Sequence, residues 1–214
     1  MPHRQSRVTL LAHTPNATSL IHAAFRQCYM DGSVCDAWDD LVNGVIPLDK
    51  QADLIEKVME SGHDSPVEHV SFSFAIDGIS RACSHQFVRH RIASFSQQSQ
   101  RYVDSGSMGW ILPPAVAAIP AAKARFDAFM EESMHAYRDI KSILEANGRA
   151  SKAAEDARFV LPNAASTRLV VTMNCRSLRH FFSLRCCARA QWEIRAVATD
   201  MRAACRTAKE GISS

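Results

Sequence analysis

Several features that mark other protein classes are missing from this sequence of 214 residues. It has no run of about 18 apolar residues, so we predict no transmembrane helix. The apolar part of the basic N-terminal stretch is too short and too interrupted for a signal-peptide core. Glycine and proline number only 8 each, which favours helices over a loop-rich all-β fold. A composition of 47% hydrophobic and 22% charged residues excludes a disordered or collagen-like chain.

The cysteines do not form the pattern of a secreted disulfide framework. Their number is odd, at 7, and Cys186 and Cys187 are adjacent. Free thiols in a reducing cytoplasm explain both facts better than disulfides do, so we expect a cytoplasmic protein. Neither this pair nor Cys83-x-His85 has the ligand spacing of a zinc site. We therefore predict no metal site and place Cys83 in the core.

The common backbone motifs for binding phosphate are also missing. The chain has no Walker A loop and no G-x-G-x-x-G turn, so we predict no Rossmann domain. A G-x-S-x-G nucleophile elbow is missing as well. A bound nucleotide would therefore have to be held by side chains.

Acidic residues are missing from two long stretches, 78–103 and 157–192. Neither stretch contains lysine, but both are rich in arginine: Arg81, Arg89, Arg91, Arg101, Arg158, Arg168, Arg176, Arg179, Arg185 and Arg189. The planar guanidinium fork matches pairs of phosphate oxygens, which lysine cannot do. The pattern indicates an anion site, and a solvated basic face is the alternative.

Hydrophobic periodicity predicts an α+β fold in a single domain over residues 1–214. Residues 70–76 alternate as a strand, and 168–173 form a second, β-branched strand. One long helix is expected over 120–147, ended by Gly148. Ser80 can cap a short helix, whereas residues 31–47 are predicted to be loop. We expect a small, mostly antiparallel sheet surrounded by helices.

Residues 86–102 are the richest in groups that can do chemistry. They combine three arginines and a histidine with glutamine, serine and tyrosine side chains. Such groups suit a polar heterocycle that carries phosphate. A loop that binds single-stranded RNA is the alternative, because Phe87, Phe95 and Tyr102 could stack on bases.

The spacing Arg89-His90-Arg91-x2-Ser94-x4-Ser99-x-Arg101-Tyr102 resembles the signature of the flavin-dependent thymidylate synthases. Segments at 62–69, 156–162, 174–185 and 190–194 look like further blocks of that family, in the same order. The resemblance implies an α+β enzyme that makes dTMP from dUMP. Methylenetetrahydrofolate would supply the carbon, and NADPH would supply electrons through FAD. It also implies a homotetramer with sites at subunit junctions, and no nucleic-acid or membrane partner.

The resemblance carries site roles onto matching positions of this chain. It implies that FAD is bound by His63, Ser65, Arg89, His90, Arg91, Gln97, Asn174, Cys175, Arg176 and His180. It implies that dUMP is bound by Gln86, Arg89, Gln97, Gln98, Ser99, Gln100, Arg101, Arg158 and Arg185. Arg185 is the implied catalytic residue, which would hold the uracil in its N3-ionised form. Ser99 is assigned to binding, not to covalent attack.

The chain departs from the family pattern at a few positions. Ser96-Gln97 stands where many members have Asn-Glu, so a carboxylate is replaced by an amide that can bond the same groups. His180 and Arg189 stand where some members have Asn and His. Two other functions use the same arginines: a non-catalytic nucleotide- or RNA-binding protein, and a flavoprotein with a different acceptor.

Overall fold

The structure, a computed structural model, describes residues 5–211 and contains one four-stranded sheet. Its strands are β1 (Arg7–His13), β2 (Ser71–Ser80), β3 (Ser94–Gln97) and β4 (Ser166–Asn174), in the order β1-β2-β4-β3. The Ser71 amide donates to Thr14 Oγ1 at 3.0 Å, and Ser73 Oγ lies 2.7 Å from Thr172 Oγ1. At second positions, Arg7 pairs with Asp77 and the Cys175 amide donates to the Val70 carbonyl. Residue numbers therefore rise along β2 as they fall along β1 and β4, so β2 is antiparallel to both neighbours. The predicted α+β class is confirmed, and no Rossmann fold is evident in the described part of the chain.

Helices make up most of the remaining described chain. They are α1 (Ala17–Gln27), α2 (Val34–Val42), α3 (Leu48–Glu60), α4 (Arg81–Phe87), α5 (Pro114–Ala117), α6 (Pro120–Leu144), α7 (Ala153–Ala157), α8 (Cys175–Arg185) and α9 (Trp192–Gly211). Among residues 5–211, none of these helices has the length and apolar character needed to cross a membrane.

The described chain divides into two compact units. The first unit comprises residues 5–8, 76–89 and 95–170, and the second comprises residues 9–75, 90–94 and 171–211. Each has buried side chains of its own, and each contains some of the predicted site residues.

The core of the first unit forms around α6. Trp110, Met130 and Met134 are buried together. Pro120 begins the helix, where its missing N–H and fixed φ are tolerated. The predicted end at residue 147 is three residues too late, because α6 ends at Leu144 and a wider turn follows. Gly148, at φ 78°, breaks the helical path as its sequence position predicts.

The core of the second unit includes the inner faces of α8 and α9. Leu178 and Phe181 of α8 are buried, as are Ile194 and Val197 of α9. Apolar residues three apart lie on one helix face, so these two pairs mark the faces that pack inward. This packing fixes α8, and α8 carries several of the predicted site residues.

The loop prediction for residues 31–47 is wrong. Residues 31–47 are not all loop, because α2 forms there and its Leu41 is buried. The Leu41 carbonyl accepts hydrogen bonds from Ser19 Oγ at 3.3 Å and Gln51 Nε2 at 3.0 Å. These partners are distant in sequence, so the local pattern did not reveal them. Residues 89–102, which show no strand period, nevertheless contain β3.

The predicted cap of α4 is confirmed. Ser80 Oγ accepts a hydrogen bond from the Cys83 amide at 2.9 Å, and Cys83 is fully buried, as predicted. We expect Ser80→Ala to lower the free energy of unfolding by about 1 kcal/mol, because an N-terminal amide of the helix loses its acceptor. Urea unfolding measures this change, with exposed Ser151→Ala as the control. An unchanged midpoint for Ser80→Ala would contradict a stabilising cap.

Candidate functional site

In the first unit, Gln97 is fixed at the end of β3. Its Nε2 donates to Ser84 Oγ on α4 at 3.0 Å and to Thr167 Oγ1 on β4 at 3.2 Å. Ser84 Oγ in turn donates to the Arg81 carbonyl at 3.0 Å. The two hydroxyls thus orient the Gln97 side-chain amide, at a position where the family that the chain resembles commonly has a carboxylate.

Gln98 belongs to a different polar contact. Its side-chain Oε1 accepts a hydrogen bond from Arg168 Nε at 3.3 Å. Its backbone N–H donates to the Arg168 carbonyl at 3.0 Å. Both residues line a cavity of about 140 Å³. Arg168 also lies 3.8 Å from the Asp77 carboxylate, so the Gln98 side chain is held by a cation that is itself ion-paired.

The turn after β3 carries the remaining dUMP candidates of the signature. Ser99 Oγ accepts a hydrogen bond from the Arg101 amide at 3.2 Å, so this hydroxyl has a structural role in the turn. Gln100 Nε2 is buried and has no hydrogen-bond partner among the described residues. A buried donor without an acceptor is costly, and this one is available to an oxygen atom of a ligand.

Two guanidinium groups of the first unit contact Glu155, and the charge of one of them reaches a third guanidinium. Arg101 Nη2 donates to Glu155 Oε2 at 3.0 Å, and Arg158 Nε donates to the Glu155 carbonyl at 3.1 Å. Burial, and then the positive charge of Arg158, lower the pKa of the Arg81 guanidinium. Arg81 makes no ion pair with any described carboxylate. Arg101, Arg158 and Arg81 therefore carry excess positive charge, which suits a phosphate.

In the second unit, His90 and Arg185 are in direct contact. Arg185 Nε donates to His90 Nε2 at 2.8 Å, and the His90 ring packs edge-on against buried Phe181 with centroids 4.9 Å apart. Burial, followed by the charges of Arg185 and His180, lowers the pKa of His90. The terminal nitrogens of Arg185 have no acceptor among residues 5–211.

His63 and Ser65 lie just before β2. Tyr29 OH lies 2.9 Å from His63 Nδ1, and the Phe25 ring meets the His63 ring edge-on at 5.5 Å. Ser65 begins a 3₁₀ turn that ends at His69. His63 is thus oriented by two aromatic side chains that the sequence analysis did not select.

The start of α8 uses its candidates in different ways. Asn174 Oδ1 accepts from the Ser177 amide at 2.9 Å and caps the helix, and Arg176 is ion-paired with Glu68. Cys175 lines a mainly apolar cavity of about 740 Å³, together with Cys205. Burial raises the pKa of the Cys175 thiol to about 11, although Arg179 acts in the opposite direction. The Cys175 side chain is therefore a neutral thiol in apolar surroundings.

The two units hold different parts of the predicted site. The first unit contains the dUMP candidates Gln86, Arg89, Gln97, Gln98, Ser99, Gln100, Arg101 and Arg158. The second unit contains Arg185 and the FAD candidates His63, Ser65, His90, Arg91, Asn174, Cys175, Arg176 and His180. The sequence placed Arg81 in an acid-free stretch that indicates an anion site, but it assigned this residue no individual role. No sequence pattern indicated that Tyr29 would contact His63 or that Ser84 would contact Gln97.

The donor groups present fit the FAD that the resemblance implies. Arg89 in the first unit and Arg91 in the second unit are exposed, and neither makes an ion pair with a described carboxylate. Each guanidinium can therefore contact phosphate oxygens. His90 and the Asn174 amide nitrogen add neutral polar groups that suit a flavin ring. Charged and neutral donors of these kinds are what a dinucleotide with two phosphates requires.

Comparisons with known proteins identify the family of the chain. The model of the thymidylate synthase complementing protein family matches residues 9–208. The flavin-dependent thymidylate synthase of Nitratidesulfovibrio vulgaris is 62% identical over 207 residues, covering 96% of this chain and 84% of that protein. The enzyme of the same name from Geobacter sulfurreducens is 47% identical over 197 residues, covering 91% of this chain and 80% of that protein.

A solved structure supports the same assignment. The UMP/dUMP methylase PolB from Streptomyces cacaoi, bound with 5-Br dUMP, matches with a TM-score of 0.75 and 25% identity. The match covers 94% of this chain and 90% of PolB. Since the family model spans most of the sequence and the relatives match along their length, the chain belongs to the flavin-dependent thymidylate synthase family.

Proposed function

We propose that the chain methylates dUMP reductively to dTMP, with the carbon from methylenetetrahydrofolate and the electrons from NADPH through FAD. The methylene carbon bonds to C5 of the uracil, C5 loses its proton, and reduction completes the methyl group as tetrahydrofolate leaves. Bound FAD supplies the electron transfer. The observation that carries the proposal is Arg185, which is held at Nε by His90 while its terminal nitrogens have no described protein acceptor.

Arg185 is the proposed catalytic residue. A uracil that loses its N3 proton spreads the negative charge over its ring and gains electron density at C5. A fixed guanidinium stabilises that anion more strongly in a site with little water than it would in bulk solvent. The free terminal nitrogens of Arg185 are the donors for this task.

The proposed phosphate site of dUMP is the guanidinium cluster of the first unit. Arg101 and Arg158 contact Glu155 on one side, and Arg81 adds a further partly buried charge. The unpartnered Gln100 Nε2 is a further donor for dUMP. Gln86, Arg89, Gln97, Gln98 and Ser99 are proposed to contact the nucleotide as well.

The proposed FAD residues differ in what they offer. Arg89 and Arg91 bring unpaired charge for the pyrophosphate. His63, Ser65, His90, Gln97, Asn174, Arg176 and His180 bring polar side-chain atoms. Cys175 is proposed from its position in the family pattern alone, because its thiol lines the apolar cavity and its amide donates to the Val70 carbonyl.

We also propose that the chain is one family domain over residues 1–214 and assembles as a homotetramer with sites at subunit junctions. The single family match across both units supports one domain. Tyr102 and Phe159 are 81% and 82% exposed, and each packs beside the preceding arginine. Exposed aromatic rings of this kind favour cover by a partner. The seven free cysteines support a reducing, cytoplasmic setting.

An absorption spectrum of the purified protein tests the proposed function. We expect a flavin band that bleaches under anaerobic NADPH with dUMP. The band should recover when methylenetetrahydrofolate is added, and dTMP should form. A colourless protein that takes up no supplied FAD would overturn the proposal. A flavin that cycles without dTMP would instead indicate a flavoprotein with another acceptor.

Gln97→Glu tests whether this enzyme needs the amide. We expect dTMP formation within about tenfold of the parent, because Ser84 and Thr167 can rotate their hydroxyls and donate to a carboxylate. The cost is one hydrogen bond, since Ser84 must leave the Arg81 carbonyl. Gln97→Leu, which keeps the bulk but no polar atom, should be less active than Gln97→Glu. A dead Gln97→Glu with bound FAD would show that the reaction depends on the amide.

A further inference from the structure

The His90 imidazole is held in one orientation within the second unit. Its Nε2 accepts the Nε–H of Arg185 at 2.8 Å. The ring meets Phe181 at an interplanar angle of 83°, and Phe181 is fully buried. One hydrogen bond and one rigid aromatic contact therefore fix the imidazole, so its accepting nitrogen marks a defined position for the guanidinium.

This contact defines the protonation state of His90. An arginine Nε–H can only donate, so His90 Nε2 must be unprotonated and the ring proton must lie on Nδ1. A doubly protonated His90 would point its Nε2–H at the Nε–H of Arg185, and both side chains would then be cations. The groups whose charges reach His90 are Arg185 and His180, both on α8. Its chain neighbours Arg89 and Arg91 are also cationic, so the surroundings favour the neutral ring.

We propose that His90 is a positioning residue whose neutral imidazole holds the Arg185 guanidinium by its Nε, leaving both terminal nitrogens for the substrate. The inference rests on the proposed function, because it assigns the means by which the catalytic arginine is oriented. It is separate from any contact that His90 makes with FAD. Without the hydrogen bond at Nε, the guanidinium could rotate about the bonds of its long side chain. A poorly oriented guanidinium would lower the rate of catalysis.

Protonation of His90 sets the direction of the pH dependence. Burial and two neighbouring positive charges lower the pKa of His90 from its ordinary value near 6.5. At pH values above this lowered pKa, the His90 ring is neutral and accepts the Nε–H of Arg185. As the pH falls below it, His90 takes up a proton, the hydrogen bond breaks, and kcat should decline.

Two substitutions at position 90 separate positioning from packing. His90→Gln places Oε1 near the position of Nε2 and accepts the Arg185 Nε–H at every pH. With FAD at saturation, we expect His90→Gln to retain more of the parental kcat than His90→Ala does and to lose the acid decline. His90→Ala has no acceptor, and we expect kcat to fall about 10–100-fold with a smaller change in the KM for dUMP. His135→Gln, on the exposed face of α6, should keep the parental rate and acid decline.

A readout independent of turnover uses nitrogen-15 NMR of the flavin-bound protein labelled at histidine. The signal lost in His90→Gln identifies His90. We expect the parent to show Nε2 unprotonated and a titration below 6.5. In Arg185→Ala that titration should move upward, because one of the neighbouring charges is gone.

The outcomes also distinguish this inference from the proposed function. A parent that makes dTMP while its His90 carries a proton on Nε2 at neutral pH would overturn the inference alone. An acid decline that persists unchanged in His90→Gln would do the same. A parent with the NMR signature but without dTMP formation would instead overturn the proposed function.

Discussion

Arg185→Ala should abolish dTMP formation while FAD stays bound. Removing a single donor that stabilises a developing anion typically costs about 10²–10³ in rate. A guanidinium supplies two donors and a positive charge, so we expect a loss of at least about 10³-fold. Product assays measure dTMP under anaerobic conditions, and the flavin absorbance of the purified variant measures FAD content.

Matched variants make the Arg185 result specific. Arg185→Lys keeps a charge but loses the planar fork and the Nε–H that reaches His90, so we expect it to recover little activity. Arg202→Ala removes an exposed arginine on α9 and should retain parental activity. Turnover close to the parent in Arg185→Ala would refute the catalytic assignment. Loss of FAD from that variant would place Arg185 among the flavin-binding residues.

The parts of the site that sequence could predict depend on local spacing. The signature at 89–102 and the Ser80 cap each lie within one short segment, so their residue types and intervals were readable directly. The two acid-free stretches indicated an anion site without saying which arginines lie together. Arg81 and Arg158 influence each other, although they belong to different stretches. This proximity is a product of folding.

The bond between His90 and Arg185 shows the same limit. The two residues are 95 positions apart, and the sequence motif assigns one to the cofactor and the other to the substrate. Their contact requires α8 to be fixed by burial of Leu178 and Phe181. The helix α2 was missed for a related reason, because Leu41 is anchored by residues on α1 and α3. Local sequence patterns do not predict partners that are distant along the chain.

The second large effect is expected at the phosphate cluster. Arg158→Ala and Arg81→Ala should each weaken dUMP binding about 10–100-fold, because a hydrogen bond to a charged group contributes roughly 1.5–3 kcal/mol. Binding of deoxyuridine, which has no phosphate, should be nearly unchanged in both variants. Equilibrium binding of dUMP and of deoxyuridine to the flavin-bound protein measures the difference.

The comparison between dUMP and deoxyuridine identifies what the cluster recognises. A variant that loses both ligands equally would show a general disruption of the first unit. Arg125→Ala, an exposed arginine on α6, is the control and should bind dUMP like the parent. The double variant Arg81→Ala/Arg158→Ala should lose less than the sum of the two single losses, because each removal relieves repulsion on the remaining guanidinium. Full additivity would mean that the two arginines act on dUMP independently. Unchanged dUMP binding in the variants would show that other arginines bind the phosphate.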